Sequence, residues 1–181
     1  LVSGLVFLFF EIAFIQKFLL FLHHPLYAIA VVLSSFLVFS GLGSAWSGRV
    51  SAAARGRLLA WAITGIVLLG TLYLLSLDTL LEQLTRLPDV TRIFFSAALI
   101  APLAFCMGMP FPLGLARLGD YAPELMPWAW AINGCASVIS AVLATLLAIH
   151  LGFATVIAVA LLLYALALWL FPAPCKEPAA A

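Results

Sequence analysis

Six apolar runs, each close to or above the length that crosses a bilayer, dominate this chain of 181 residues. They lie at about 1–22, 26–47, 58–77, 93–116, 128–149 and 153–171. A helix needs roughly 20 apolar residues to span the hydrocarbon layer, and within lipid only a helix or a closed barrel satisfies its own backbone hydrogen bonds. The runs lack the period-two alternation of barrel strands. The sequence therefore predicts an all-α, polytopic membrane protein, a bundle of about six transmembrane helices.

Composition excludes other classes of protein. Hydrophobic residues make up 66% of the chain and charged residues only 8%, a balance too apolar for a soluble core of this size. The formal net charge is +1 and no basic patch is present, so the lipid bilayer is the expected partner and nucleic acid is not. Cys106, Cys135 and Cys175 are too scattered for a disulfide framework. These patterns leave the cofactor unknown.

The distribution of arginines predicts the orientation. Arg49, Arg55 and Arg57 cluster between the second and third runs, and positive loops favour the cytoplasm. Both termini are then cytoplasmic, with one membrane domain over 1–171 and a disordered tail over 172–181. Because the chain opens on Leu rather than Met, we expect it to be a fragment of a longer polypeptide.

Glu11 lies in the middle of the first run, in the segment FEIAFIQKF. An acidic residue at a helix centre costs about 2.5–3.5 kcal/mol on insertion scales, so Glu11 is predicted to point into the bundle. It is either neutral or hydrogen-bonded to another span, with Asn133 or the backbone near Pro110 as partners. Lys17 lies about 120° around the helix from Glu11 and is predicted to extend to the outer interface instead.

The fourth run contains Pro102, Pro110 and Pro112 together with Gly108. Interior prolines remove helical hydrogen bonds, so a kink or break between Gly108 and Pro112 is predicted. Broken membrane helices either serve packing or expose carbonyl groups at a binding site. The hypothetical substrate-binding residues are Glu11, Gln16, Met109, Pro110, Pro112 and Asn133.

Small residues mark faces on two further runs. On the fifth run Asn133, Ser137, Ser140 and Ala144 share a face that either packs through interhelical hydrogen bonds or lines a polar cavity. The sixth run is nearly featureless and is predicted to face lipid. The second run ends in a predicted helix-packing face, with a backbone-lined groove as the alternative. That face comprises Ser40, Gly41, Gly43, Ser44 and Gly48.

His23 and His24 lie at the corner between the first two runs, immediately before Pro25. Histidine ligates metals and haem and can hydrogen-bond a quinone, so the pair is a weak candidate for a metal or cofactor site. A capped helix end is the simpler interpretation.

The segments EIAFIQKFLLFLHHPLYAIAVVLSSFLVFSGLGS, GMPFPLGLARLG and PWAWAINGCASVISAVLA resemble the C-terminal membrane half of bacterial spermidine-synthase-like integral membrane proteins. The resemblance extends from Glu11 to about Ile149. It implies a multi-pass protein of the bacterial plasma (inner) membrane that accompanies a cytosolic Rossmann-type domain related to aminopropyltransferases. One departure is the pair His23-His24, where the family favours a single His after Gly. No Rossmann fingerprint occurs in these residues, so this segment by itself lacks a catalytic domain.

Three functions are therefore expected. The first is a membrane domain that anchors, or cooperates with, a cytosolic transferase-like domain. The second is an accessory structural subunit packed among other membrane subunits of an electron-transfer or photosynthetic assembly. The third is a binding or transport domain for a cationic or amphiphilic molecule, for which a buried carboxylate such as Glu11 would be suited.

Overall fold

The computed structural model describes residues 2–22, 24–85 and 88–170, and within these ranges all regular structure is helical. Five helical units are long and apolar enough to cross a membrane, one of them formed by α4 and α5 together. The last helix is apolar as well. The predicted all-α, multi-pass fold is confirmed. The elements are α1 Val2–Leu22, α2 Pro25–Ser47, α3 Ala52–Leu84, α4 Asp89–Met107, α5 Pro110–Tyr121, a 3-10 turn Pro123–Leu125, α6 Met126–Leu151 and α7 Phe153–Leu170.

Two ion pairs mark the opposite ends of the bundle. Near the start of α3, Arg55 Nη1 donates to Asp120 Oδ2 of α5 over 2.8 Å. Near the other end of α3, Asp78 pairs with Lys17 of α1. The helices α1, α3 and α6 therefore run in one direction, and α2, α4 with α5, and α7 run in the other. We call the end that holds Arg49, Arg55 and Arg57 the arginine end, and the other the Asp78 end.

The central helix of the bundle is α1. It packs against α2, α4, α6 and α7, and its phenylalanines reach the remaining long helix. The Phe14 ring alone meets Phe36 of α2, Tyr73 of α3 and Phe153 of α7, at centroid distances of 5.8, 5.7 and 6.5 Å. Aromatic rings fill space between several helices at once, which suits a helix that has neighbours on most sides.

The helices around α1 form a ring that is open on one side. Successive contacts link α2 to α4, α4 to α3, α3 to α7 and α7 to α6, whereas α2 and α6 barely touch along their described residues. At the arginine end α5 packs on both α2 and α6 and closes this opening, with Phe111 against Trp130 at 5.0 Å. One face of α1 is only half-buried, and we call it the α1 groove. Its residues are Leu5, Leu8, Ile12, Ile15, Gln16 and Leu19.

Two glycines allow α2 and α4 to approach closely. A Cβ atom on Gly43 of α2 would overlap the carbonyl oxygen of Phe105, and one on Gly108 at the end of α4 would overlap that of Ser40. Small residues permit such backbone contact between membrane helices, where apolar area alone gives little driving force. At these two positions the α2–α4 contact is made by backbone rather than by large side chains.

Only part of the predicted small-residue face of α2 packs against α4, and the rest is exposed. Ser40 and Gly43 lie in the contact with α4. Ser44 is half-buried, while Gly41 and Gly48 are exposed. The contact thus uses two positions three residues apart, Ser40 and Gly43.

The predicted break in the fourth run is confirmed. The helix α4 ends at Met107, and α5 begins at Pro110. The Met109 N–H donates to the Cys106 carbonyl oxygen, three residues back, over 3.3 Å. Pro110 and Pro112 have no N–H to donate, so the regular ladder cannot continue through this junction.

Two expectations about helices differ from the structure. The sixth run does not simply face lipid, because Ile157, Ala160 and Tyr164 of α7 are buried against α1 and α3. That run is apolar on all sides, so no periodic pattern distinguishes its inner face. The helix α3 is longer than the predicted span over 58–77, and Leu81 is still buried beyond the charged residue Asp78.

Candidate functional site

Glu11 lies inside the bundle, as predicted, with 6% of its surface exposed. Its helix is the central one, and its neighbours in sequence, Phe10 and Phe14, are fully buried. Among the described residues no hydrogen bond or ion pair involves its carboxyl group. A carboxylate without a counter-charge or donors is strongly disfavoured in hydrocarbon, so a neutral carboxyl is expected here.

The Asn133 side chain lies beside Gly4 rather than beside Glu11. Its side-chain oxygen Oδ1 lies beside Gly4, only 2.6 Å from the position that a Cβ on that glycine would occupy. Gly4 precedes Glu11 by seven residues, or roughly 10 Å along the helix. The Oδ1 atom is buried and makes no hydrogen bond within the described part of the chain. The predicted direct contact between the carboxyl and the amide is therefore absent from the described residues.

The polar stripe on α6 packs on α1 without hydrogen bonds between the two helices in the described residues. Ser137 Oγ donates to the Asn133 carbonyl oxygen over 3.0 Å, and Ser140 Oγ donates to the Ser137 carbonyl oxygen over 2.8 Å. Ser140 and Ala144 are fully buried. Hydroxyl groups that bond to their own helix let the two helices pack closely at low cost. Of the two interpretations, packing is the one that this geometry supports.

Lys17 does not extend freely to the interface. Its ammonium group pairs with Asp78 of α3 and lies over the Phe153 ring of α7, 4.8 Å from the centroid. This corrects the sequence prediction, in which the third run ends at residue 77, because α3 continues past Asp78 and brings this acidic residue to α1. Since Lys17 already has a partner, it does not compensate Glu11.

The other predicted substrate-binding residues lie at two separate places in the bundle. Met109 and Pro110 are buried at the α4–α5 junction, and Pro112 is half-buried in the first turn of α5. Gln16 lies in the α1 groove, half-buried, and takes part in no hydrogen bond among the described residues. Glu11 and Gln16 share α1 but lie five residues apart, or roughly 7.5 Å along it.

The histidine corner shows no set of metal ligands among the described residues. His23 lies outside the described residues. His24 is exposed immediately before α2, with its ring edge against Tyr27 at 5.7 Å. Across residues 2–22, 24–85 and 88–170, no three His, Cys, Asp or Glu side chains come close enough to hold a metal ion.

No protein-family model, curated protein or solved structure matches this chain. The two observations that bear on function are the unpartnered carboxyl of Glu11 and the open side of the ring around α1.

Two features of the structure were not predicted from the sequence. Gly4 was unremarkable in an apolar run, although a glycine seven residues before Glu11 falls on nearly the same side of the helix. Tyr164 is buried on α7 with a hydroxyl that finds no hydrogen-bond partner of normal geometry among the described residues. A lone tyrosine within LLLYALALW was the available signal, because a buried phenol in lipid usually has a polar neighbour.

Proposed function

We propose that this chain is the membrane domain of a spermidine-synthase-like protein and that it holds a cytosolic transferase-like domain at the bacterial plasma membrane. The resemblance of three segments supports this function, and so does the position of the arginines. The arginine end also contains the start of α1, because Arg55 pairs with Asp120 there while Lys17 lies at the Asp78 end. Positive loops favour the cytoplasm.

The observation that carries the proposal is the central position of α1. A soluble domain joined ahead of α1 would be attached to the helix with the most neighbours in the bundle. Its position relative to the membrane would then be fixed by packing of the whole ring rather than by one peripheral helix. An anchor needs this property, whereas a flexible tether does not.

The intact polypeptide provides the test. Purification from native membranes with an antibody against the loop around Ser51, followed by mass spectrometry, should yield a longer chain that contains a Rossmann-type domain. The purified protein should transfer an aminopropyl group to an amine acceptor, and removal of the membrane domain should release that activity into the soluble fraction. A short polypeptide that co-purifies with unrelated membrane subunits would instead identify an accessory subunit.

A second candidate function is a binding domain for an amphiphilic molecule. The observation that favours it is Glu11, a carboxyl group without a partner among the described residues, next to a half-buried apolar face of α1. Ionisable residues within membrane spans usually mark functional sites. The substitution Glu11→Gln keeps size and hydrogen-bonding capacity. Loss of function with unchanged expression and thermal stability would show that the carboxyl group acts beyond packing, and wild-type behaviour would exclude a charge-dependent site.

A further inference from the structure

The outer face of α3 carries a stripe of exposed apolar side chains. The stripe begins at Trp61 and continues through Leu68, Leu72 and Leu75, all of them exposed. At 100° per residue these four side chains lie within about 60° of one another around the helix. From residue 61 to residue 75 they extend over roughly 21 Å, more than half of a hydrocarbon layer about 30 Å thick. We therefore expect this stripe to face acyl chains.

Charged residues of opposite sign end the stripe. Arg57 precedes Trp61 by one turn, and Glu82 follows Leu75 by two turns. Both charged residues are exposed, and they lie within about 20° of each other around α3. Their separation is roughly 37 Å along the axis, so they belong to the two opposite interfaces of the bilayer. The same helix face thus presents a cation at the arginine end and an anion at the Asp78 end.

Arg57 has no acidic partner among the described residues. Arg55, two residues earlier, lies on the opposite side of α3 and pairs with Asp120. Arg49, in the turn that leads into α3, is exposed and likewise has no ion pair with a described residue. An arginine at the end of an apolar stripe can lay its aliphatic part along that stripe and offer its guanidinium group to a phosphate.

We propose that the outer face of α3 binds an anionic phospholipid at the arginine end, with the headgroup phosphate accepting from Arg57 and an acyl chain lying along Trp61 and Leu68. Arg49 supplies a second positive charge, eight residues away in the chain. Basic side chains at a membrane surface attract anionic lipids, whereas a zwitterionic headgroup brings its own cation. Tryptophan is typical of the headgroup level, so this position of Arg57 favours lipid over an acidic protein surface. The inference depends on neither proposed function.

Tryptophan fluorescence in reconstituted vesicles tests the proposal. In one reporter protein Trp61 is kept and the other four tryptophans are replaced by phenylalanine. In a second, Trp61 is replaced as well and Thr79→Trp places the reporter on the same face, one turn before Glu82. Quenching by brominated phosphatidylglycerol and by brominated phosphatidylcholine gives the relative affinity of each site. We expect a preference of roughly fivefold for phosphatidylglycerol at Trp61, and a ratio near one at residue 79.

Two substitutions separate a site from a general positive potential. Arg57→Gln should bring the ratio at Trp61 to within about twofold of one, and Arg57→Lys should keep most of the preference. Arg55→Gln is the matched control, because it removes the same charge two residues away on the opposite face, and it should leave the ratio unchanged. For the protein that keeps Arg57, salt at about 0.5 M should lower the preference at Trp61, which tests the attraction without any change at that residue.

Three results would overturn the lipid site. A ratio near one at Trp61 would show that the face has no preference for anionic lipid. Equal preference at Trp61 and at residue 79, or an equal loss from Arg55→Gln and Arg57→Gln, would show that the net field of the molecule acts rather than Arg57. If Trp61 shows no preference and Arg57→Gln instead releases a cytosolic protein from the intact polypeptide or its complex, Arg57 belongs to a protein contact.

Discussion

Gly108, at the junction of α4 and α5, lies directly against the backbone carbonyl of Ser40 in α2. The relationship is reciprocal, because Gly43 of α2 lies against the carbonyl of Phe105 in α4. Each helix therefore offers a glycine to the carbonyl of the other, an arrangement in which Cα–H groups point at carbonyl oxygens. This double contact fixes the position of α4 just before the helix breaks.

Replacement of Gly43 by alanine should destabilise the bundle by about 1–3 kcal/mol, the usual cost of overpacking. The added Cβ would overlap the Phe105 carbonyl, and backbone cannot move aside as a flexible side chain can. The measurement is unfolding in mixed detergent micelles. Gly41→Ala is the matched control on the same helix, because nothing lies within 4 Å of its Cβ position. Equal stability of the two variants would contradict the close approach of α2 and α4.

Removal of Asp78 should lower the stability of the protein more than removal of its partner Lys17. The Lys17 side chain is 21% exposed and the Asp78 side chain 67% exposed. Asp78→Asn leaves a largely buried ammonium group without its counter-charge and should cost about 1–2 kcal/mol, between the values of exposed and buried pairs. Lys17→Met leaves a carboxylate that reaches the interface, so it should cost less.

The double variant of Lys17 and Asp78 should be no less stable than Asp78→Asn alone, because the stranded charge is gone. Glu82→Gln, an exposed acid one turn further along α3, serves as the control. A larger loss from Lys17→Met than from Asp78→Asn would mean that the lysine contributes through its contact with Phe153 instead.

Tyr73 should contribute a measurable hydrogen bond between α3 and α4. Its hydroxyl donates to the Leu99 carbonyl oxygen. The neighbouring Ala98 carbonyl lacks its usual helical donor, because residue 102 is a proline and has no N–H. Tyr73→Phe should lower the free energy of unfolding by about 0.5–1.5 kcal/mol, the range for such bonds in membrane proteins. Tyr121→Phe, at an exposed tyrosine, should have no effect. Identical unfolding of wild type and Tyr73→Phe would show that the bond contributes nothing.

The orientation in the membrane is open to a direct labelling experiment. In a background without native cysteines, Ser51→Cys should react with an impermeant maleimide only from the cytoplasmic side, because positive loops stay inside. Thr85→Cys should react only from the outside. Both residues are exposed at opposite ends of α3. Labelling of Ser51→Cys in intact cells would reverse the predicted topology and with it the proposed position of a soluble domain.

The fold class and the break in the fourth run could be predicted because they depend on local properties. Length and hydropathy identify a spanning helix wherever it packs, and Pro110 breaks the hydrogen-bond ladder whatever its neighbours. The burial of Glu11 was also predictable, since the cost of exposing a carboxyl to lipid does not depend on which helix covers it.

The partners of the polar residues could not be predicted, because they depend on which helices are adjacent. Lys17 finds Asp78 only because α3 passes α1, and Asn133 meets Gly4 only because α6 does. In an apolar run such as α7, no periodic contrast shows which side is buried, so the sequence predicts that the run faces lipid although Tyr164 is buried. The packing face of such a membrane helix cannot be identified from its hydropathy, because lipid and the protein interior are equally apolar.

The central position of α1 has a consequence for biosynthesis. The ribosome completes α1 before any of its neighbours, yet one of the helices that cover α1 is α6, which packs on Gly4 and is made near the end. At roughly 5–20 residues per second, the interval is on the order of ten seconds. During that time the carboxyl of Glu11 must be accommodated by the insertion machinery or by the bilayer itself. Chains that stop before α6 should therefore be the ones that quality-control proteases recognise in the membrane.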